Sequence, residues 1–267
     1  MGRQPNIFNR MSAPRGRIKF SARKEVIEQQ RLRQSFERKL SFSLINQFAE
    51  IGSIARTEYL QRQAVDLSSQ LISQRIALIL EPHYRSVIEA FGLRMLREQK
   101  QESQFETLIR SYYNVFGLEA VRLISLSTSR RLLRVMIANE RDGLGVAATA
   151  DSIFEAMRGQ YARNRAAVIA RTETHNAASY ANNEVAKTMN IPDLEKQWVS
   201  VSDDRTRSAH AAMNGVVVPM DEDFQVPSDF GPRPMSRPSD PRGGPSNTIN
   251  CRCVLLYITP EDEVVDE

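Results

Sequence analysis

Residue types able to bind a metal or to do nucleophilic and acid–base chemistry crowd into the last third of this chain. His210, Cys251 and Cys253 offer an imidazole and two thiols, a donor set that suits zinc. Asp203, Asp204 or His175 could supply a fourth ligand. Glu173, Asp203, Asp204, His175 and His210 are the types that serve as general acids, bases or metal ligands in hydrolysis, and Cys251 with His210 could form a nucleophile pair. Both cysteines, two of the three histidines and the single tryptophan, Trp198, fall in this window. No spacing among them forces a catalytic convergence, and C-x-C is shorter than the usual gap between paired zinc ligands.

A third reading makes the same residues a structural network. Arg171, Glu173, Asp203, Asp204 and Arg205 interleave opposite charges, with Arg252 near the cysteines. Guanidinium–carboxylate pairs are bidentate and planar, which suits tying a helix to neighbouring loops. In this reading Asp203 or Asp204 caps a turn, Asn214-Gly215 sets a hairpin, and Arg205 ties the loop back to Glu173. It is the most economical account: no catalytic residue, no cofactor, and a structural zinc on His210, Cys251 and Cys253 as the variant.

The elements that must position these residues are mostly helical. From about Ala22 to Gln101 the pattern is helical, with Ile72, Ile76 and Ile79 at helical spacing and Pro82 expected to end or bend the helix. Glu102 to Asn139 reads as more helix, broken near Gly117. Phe105, Leu108, Ile109, Tyr112 and Phe116 mark one face, and Leu123, Leu126, Leu133 and Ile137 follow. Asp142-Gly143 and Gly145 make a turn. Val146, Ala150, Ile153, Phe154 and Met157 form a clean helical stripe, and an alanine-rich helix runs from about Arg163 to Met189. Glu173 or Thr174 falls on its alanine face, so a buried carboxylate there needs a partner from another segment.

Beyond Pro192 the pattern becomes strand-like at residues 198–201, 216–218 and 254–258, with a Pro- and Gly-rich loop over residues 219–248. The fold class is α+β, mostly α: a helical N-terminal region, then a small C-terminal domain with a long Ala-rich helix and a short antiparallel sheet. The segments are 1–21, a disordered basic arm; 22–140, a helical partner-docking region; 141–260, the C-terminal domain; and 261–267, an acidic tail.

Composition is that of an ordinary soluble chain, 41% hydrophobic and 25% charged over 267 residues, with net charge +4. No apolar run reaches the ~20 residues that cross a bilayer, and two cysteines make no disulfide framework. A reducing cytoplasmic site of synthesis follows as an expectation. The charge is uneven: residues 1–40 are strongly basic. Arg15, Arg17, Lys19, Arg23 and Lys24 form a cluster able to hold a polyanion or an acidic protein surface.

These words in this order resemble the phage Mu F-like family of minor head (head morphogenesis) proteins. The resemblance covers roughly residues 140 to 258. It rests on Asn164-Arg-Ala-Ala-Val-Ile-Ala-Arg-Thr-Glu173, Trp198, Asp203-Asp-Arg-Thr-Arg207, His210, Asn214-Gly215, Pro238-Ser-Asp-Pro241 and Asn250-Cys-Arg-Cys253. Many members carry two cysteines after D-x-R-T and a His-Pro before N-C-R-C. Here Arg207 and His210 stand at those cysteine positions and Thr248-Ile249 replaces the His-Pro, which removes two potential ligands. The resemblance implies a tailed-phage or prophage protein made in the bacterial cytoplasm and carried in the head near the portal vertex. Its implied partners are the portal and other head proteins, with non-specific DNA contact through the basic arm and no membrane. A metal-dependent nuclease or other hydrolase carried in the head is the alternative.

Overall fold

The computed structural model describes residues 20–66, 69–95, 102–189 and 191–258. Arg15, Arg17, Lys19 and the acidic tail lie outside the described residues, and of Arg23 only the helical backbone is described. Lys24 is exposed and lies 3.9 Å from Glu28, one helical turn on. The chain divides into two compact units, Arg33–Asn182 and Met1–Leu32 with Asn183–Glu267. Both points of division fall within helices.

In the helical unit, α1 (Phe20–Arg62) contributes its residues from Arg33 onward. Leu40, Leu44, Phe48, Ile51 and Ala55 lie three or four residues apart along one face, and all are buried. They belong to the same core as Ile72, Ile76, Leu80, Tyr84, Val87, Ile88 and Phe91 of α2 (Ser69–Met95). Each of the leucines, isoleucines, phenylalanines and the valine among them stabilises the fold by about 1.5–3 kcal/mol on burial, enough to override local propensity. The helix end expected at Pro82 does not occur: α2 continues through it. The ring removes one amide donor, but both Pro82 and Leu78, whose carbonyl loses that partner, are exposed, so water can satisfy it.

Helix α3 (Glu102–Tyr112) passes through one π-helical turn, Tyr113–Gly117, into α4 (Leu118–Arg141). Gly117 therefore does not break the helix. A Cβ there would lie 2.6 Å from Tyr113 Cδ2 and 3.1 Å from Tyr84 Cε2, so the glycine makes room for two tyrosine rings.

The apolar stripe of α4 reverses the sequence reading. Leu123, Leu133 and Ile137 are exposed; the buried face is Val121, Ile124, Ser125, Thr128 and Leu132. Ser125 and Thr128 donate their hydroxyls to the carbonyls of Val121 and Ile124, both at 2.7 Å. Internally satisfied hydroxyls can be buried at little cost and let neighbours approach closely. Arg165 donates to Ile124 O, Ser127 Oγ and Thr128 Oγ1 while stacking 4.6 Å from the Phe48 ring centroid. Helix α5 (Val146–Arg158) buries Ala150, Ile153 and Met157, and α6 (Gln160–Thr188) buries Ala162, Ala166, Ala170, Ala177, Ala178 and Ala181.

The C-terminal unit holds β1 (Glu195–Val199), α7 (Ser208–Ala212), β2 (Val217–Pro219), β3 (Phe224–Val226), β4 (Arg233–Met235), a 3-10 turn at Pro241–Gly243, α8 (Pro245–Thr248) and β5 (Val254–Ile258). Strands β2, β1 and β5 form an antiparallel sheet in that order, with Trp198 opposite Leu255 and Val199 opposite Val254. Strands β3 and β4 pair separately, inside the segment read from sequence as loop. The core comprises Trp198, Met213, Val216, Phe224, Val226, Met235, both cysteines and Leu255. Among the described residues no helix is long and apolar enough to cross a membrane.

Gly117→Ala should lower the stability of the helical unit by about 1–3 kcal/mol, because the overpacked tyrosines must shift. A urea titration of the variant against the parent checks this; equal midpoints would mean that the rings move freely.

Candidate functional site

The D-x-R-T turn and the N-C-R-C segment meet in the C-terminal unit. Asp203 folds the first into a turn: its Oδ1 accepts from the Arg205 amide at 3.2 Å and the Thr206 hydroxyl at 3.0 Å, and its carbonyl accepts from the Thr206 amide. Arg252 closes on the same carboxylate with two donors, at 2.5 and 2.6 Å. This fork holds the Asp203 carboxyl well below the usual carboxylate range, with the Thr206 hydroxyl adding to the effect. Arg205 reaches Asp203 more loosely, at 3.4 Å, and is exposed. Arg207 donates to the Ile249 carbonyl at 2.5 Å, a second link between the two segments.

Alternation explains the rest. In extended chain, residues two apart share a side. Cys251 and Cys253 are both buried, while Arg252 between them is half-exposed. Asn250 enters this segment with φ of 58°, a left-handed conformation that asparagine tolerates. His210, carried by α7, places Nδ1 3.7 Å from Cys251 Sγ and 3.4 Å from Cys253 Sγ. Trp198 packs edge-on against its ring at 5.6 Å. The His210 imidazole and the neighbouring cysteine lower the Cys251 thiol well below its ordinary value despite burial. Asn214 accepts the Ser200 amide through Oδ1, and Gly215, at φ 83°, donates its amide to the Trp198 carbonyl, so this pair does turn the chain into β2.

The two predicted network members on α6 have other partners. Glu173 accepts the Tyr84 hydroxyl at 2.7 Å, and Arg171 lies 3.7 Å from Glu37. The tie expected between Arg205 and Glu173 is thus replaced by two separate pairings. Asp204 is exposed. His175, considered as a fourth metal ligand, is buried and faces Arg33 at 2.9 Å. Burial pushes the Glu173 carboxyl up to about 7, opposed by the Tyr84 hydrogen bond. Burial also lowers His83, which contacts Thr174, to about 4.

Sequence reasoning missed the pairing that fastens the long loop. Asp240 is 2% exposed and caps the turn at Pro241 by accepting the Arg242 amide. It also accepts from the Ser236 amide and hydroxyl, and from the Arg242 guanidinium. Arg242 reaches on to Asp223 with two bonds of 2.8 and 2.9 Å. The Asp-Pro step of Pro238-Ser-Asp-Pro241 carried that signal, since Asp before Pro is a helix-start pattern. Lys196 was missed too. It alternates onto the buried Trp198 face, donates to the Ser236 carbonyl at 2.9 Å, and is lowered to about 8, chiefly by burial.

Residues 130–256 match the family described as Phage Mu protein F like protein. The Mu F-like resemblance read from the sequence is thus carried by this segment, a little under half of the chain. The Mu F-like segment thus takes in α5, α6 and nearly all of the C-terminal unit from Asn183 on. The chain is 32% identical over 123 residues to the minor head protein GP7 of Bacillus phage SPP1, covering 43% of this chain and 36% of that one. It is also 32% identical over 184 residues to the NAD(+)--arginine ADP-ribosyltransferase EFV of Enterococcus faecalis, covering 63% of this chain and 36% of that one. It therefore spans about a third of the length of both relatives. No solved structure matches.

Glu173 makes the helical unit sensitive to pH in a defined direction. Its folded carboxyl is raised from 4.5 to about 7, so the folded state holds a proton that the unfolded chain releases. The contribution is fully present below about 4.5 and is lost as pH rises to about 7, on the order of 3 kcal/mol at most. Glu173→Gln should flatten this part of the stability–pH curve and leave the variant the more stable above pH 7. Parallel curves for variant and parent would refute the assignment.

Proposed function

We propose that this protein is a minor head component of a tailed phage or prophage that acts in head morphogenesis by docking on the portal or an adjoining head protein. It is made in the host cytoplasm and carried in the particle. The similarity to the SPP1 minor head protein, beside the Mu F-like match over residues 130–256, is the observation that carries this reading.

The helical unit offers a surface suited to the task. Leu118, Leu123, Leu133 and Ile137 of α4 are 51, 50, 43 and 54% exposed. Arg130 and Arg134 are exposed on the same side, as is Arg122 in its pair with Glu119. Apolar side chains interspersed with arginine fit a partner groove or helix that is apolar with acidic groups. The basic N-terminal cluster would hold nucleic acid phosphates or acidic protein without reading sequence.

Hydrolysis finds less support. His210 faces two thiols, while Asp203 is committed to Arg252 and Glu173 to Tyr84. A nuclease needs such groups to converge on one phosphate. The transferase activity in the second relative's name stays with that protein, of which this chain covers 36%.

The portal protein of the same phage or prophage should co-purify with this chain. Leu123→Asp with Ile137→Asp should cut that association at least about tenfold while leaving the melting temperature near the parent's, since exposed sites seldom alter stability. No association over a wide concentration range would overturn the docking role.

A further inference from the structure

Inside the C-terminal unit three ligand atoms converge: His210 Nδ1, Cys251 Sγ and Cys253 Sγ lie within 4.8 Å of one another, and their residues are 1–2% exposed. The nitrogen stands 3.7 and 3.4 Å from the two sulfurs. A zinc ion bound at about 2.3 Å to sulfur and about 2.0–2.1 Å to nitrogen sets tetrahedral N and S ligands about 3.6 Å apart. The observed separations straddle that value.

Three elements hold the donors in place without the ion. Helix α7 carries the histidine. The left-handed Asn250 and the alternation through Arg252 put both sulfurs on one side, which is why a C-x-C spacing can serve here. The Arg252–Asp203 fork fixes that segment from outside. Neither sulfur is in a disulfide. Buried thiols beside a histidine could instead be small apolar packing residues. Against that, Nδ1 is directed at both sulfurs at once, and packing alone does not require this.

We propose that His210, Cys251 and Cys253 bind one zinc ion through Nδ1 and two thiolates. The two cysteines bind as thiolates, any thiol proton still held passes to solvent, and the ion stays divalent throughout. These three side chains supply three of the ion's positions, and Asp203 is held by Arg252. The ion ties α7 to the segment entering β5 and so braces the core around Trp198. This site does not depend on the head-assembly role.

Native mass spectrometry of the full chain, stripped with a chelator and then given zinc alone, should count one ion per chain. Cobalt in place of zinc should give the thiolate charge-transfer and tetrahedral ligand-field bands. Cys253→Ser and Cys251→Ser should each weaken zinc binding about 100-fold or more, and chelation should lower the parent's melting temperature. A parent chain that takes up no zinc at micromolar concentration overturns the proposal, whether or not the variants fold. So does undiminished zinc binding and an unchanged cobalt spectrum in both serine variants.

Discussion

One alternation, at residues 251–253, organises the C-terminal unit. Arg252 points to the half-exposed side and grips the Asp203 carboxylate with two short bonds, across 49 residues of chain. Cys251 and Cys253 point inward to His210. A single short stretch therefore serves a charged clamp on one side and an apolar, thiol-lined core on the other. The clamp's partner also shapes the turn that leads to α7, so Asp203 sets the approach of His210 to the sulfurs.

The long segment after β2 would otherwise have few means of staying closed, since its strands are three residues each. Asp240 supplies them. It is buried, but five donors from Ser236 and Arg242 satisfy it, and Arg242 passes the charge on to Asp223. A buried carboxylate is costly alone and tolerable when fully hydrogen-bonded. Lys196 follows the same logic on the Trp198 face, with a backbone carbonyl and the Phe224 ring as its neighbours. Polar ties of this kind suit a unit whose apolar core is small.

Much of this was legible in residue order, and what was not has physical reasons. The helices showed through their stripes, and β2 and β5 through their β-branched runs, whereas β1 begins three residues before the run at 198–201. Asn214-Gly215 and the turn at Asp203 were readable because they act on neighbouring backbone. The convergence of His210 with both cysteines was legible as an inventory but not as a distance. Pairings between distant segments were not legible: Arg205 was assigned to Glu173, whereas Arg252 takes Asp203 and Tyr84 takes Glu173. Gly117 misled, because it makes room for two tyrosine rings rather than breaking the helix, and at Pro82 the helix continues instead of ending. The α4 stripe misled because hydroxyls at Ser125 and Thr128 satisfy themselves on their own helix, leaving the leucines outside.

The most direct test of the Asp203–Arg252 clamp is a double-mutant cycle with Asp203→Asn and Arg252→Gln, read as the unfolding of the C-terminal unit by hydrogen exchange at β1 and β5. If the clamp holds the two segments together, each single change exposes those strands to exchange and the double change costs clearly less than the sum. Strictly additive effects, or protection untouched by either change, would contradict it.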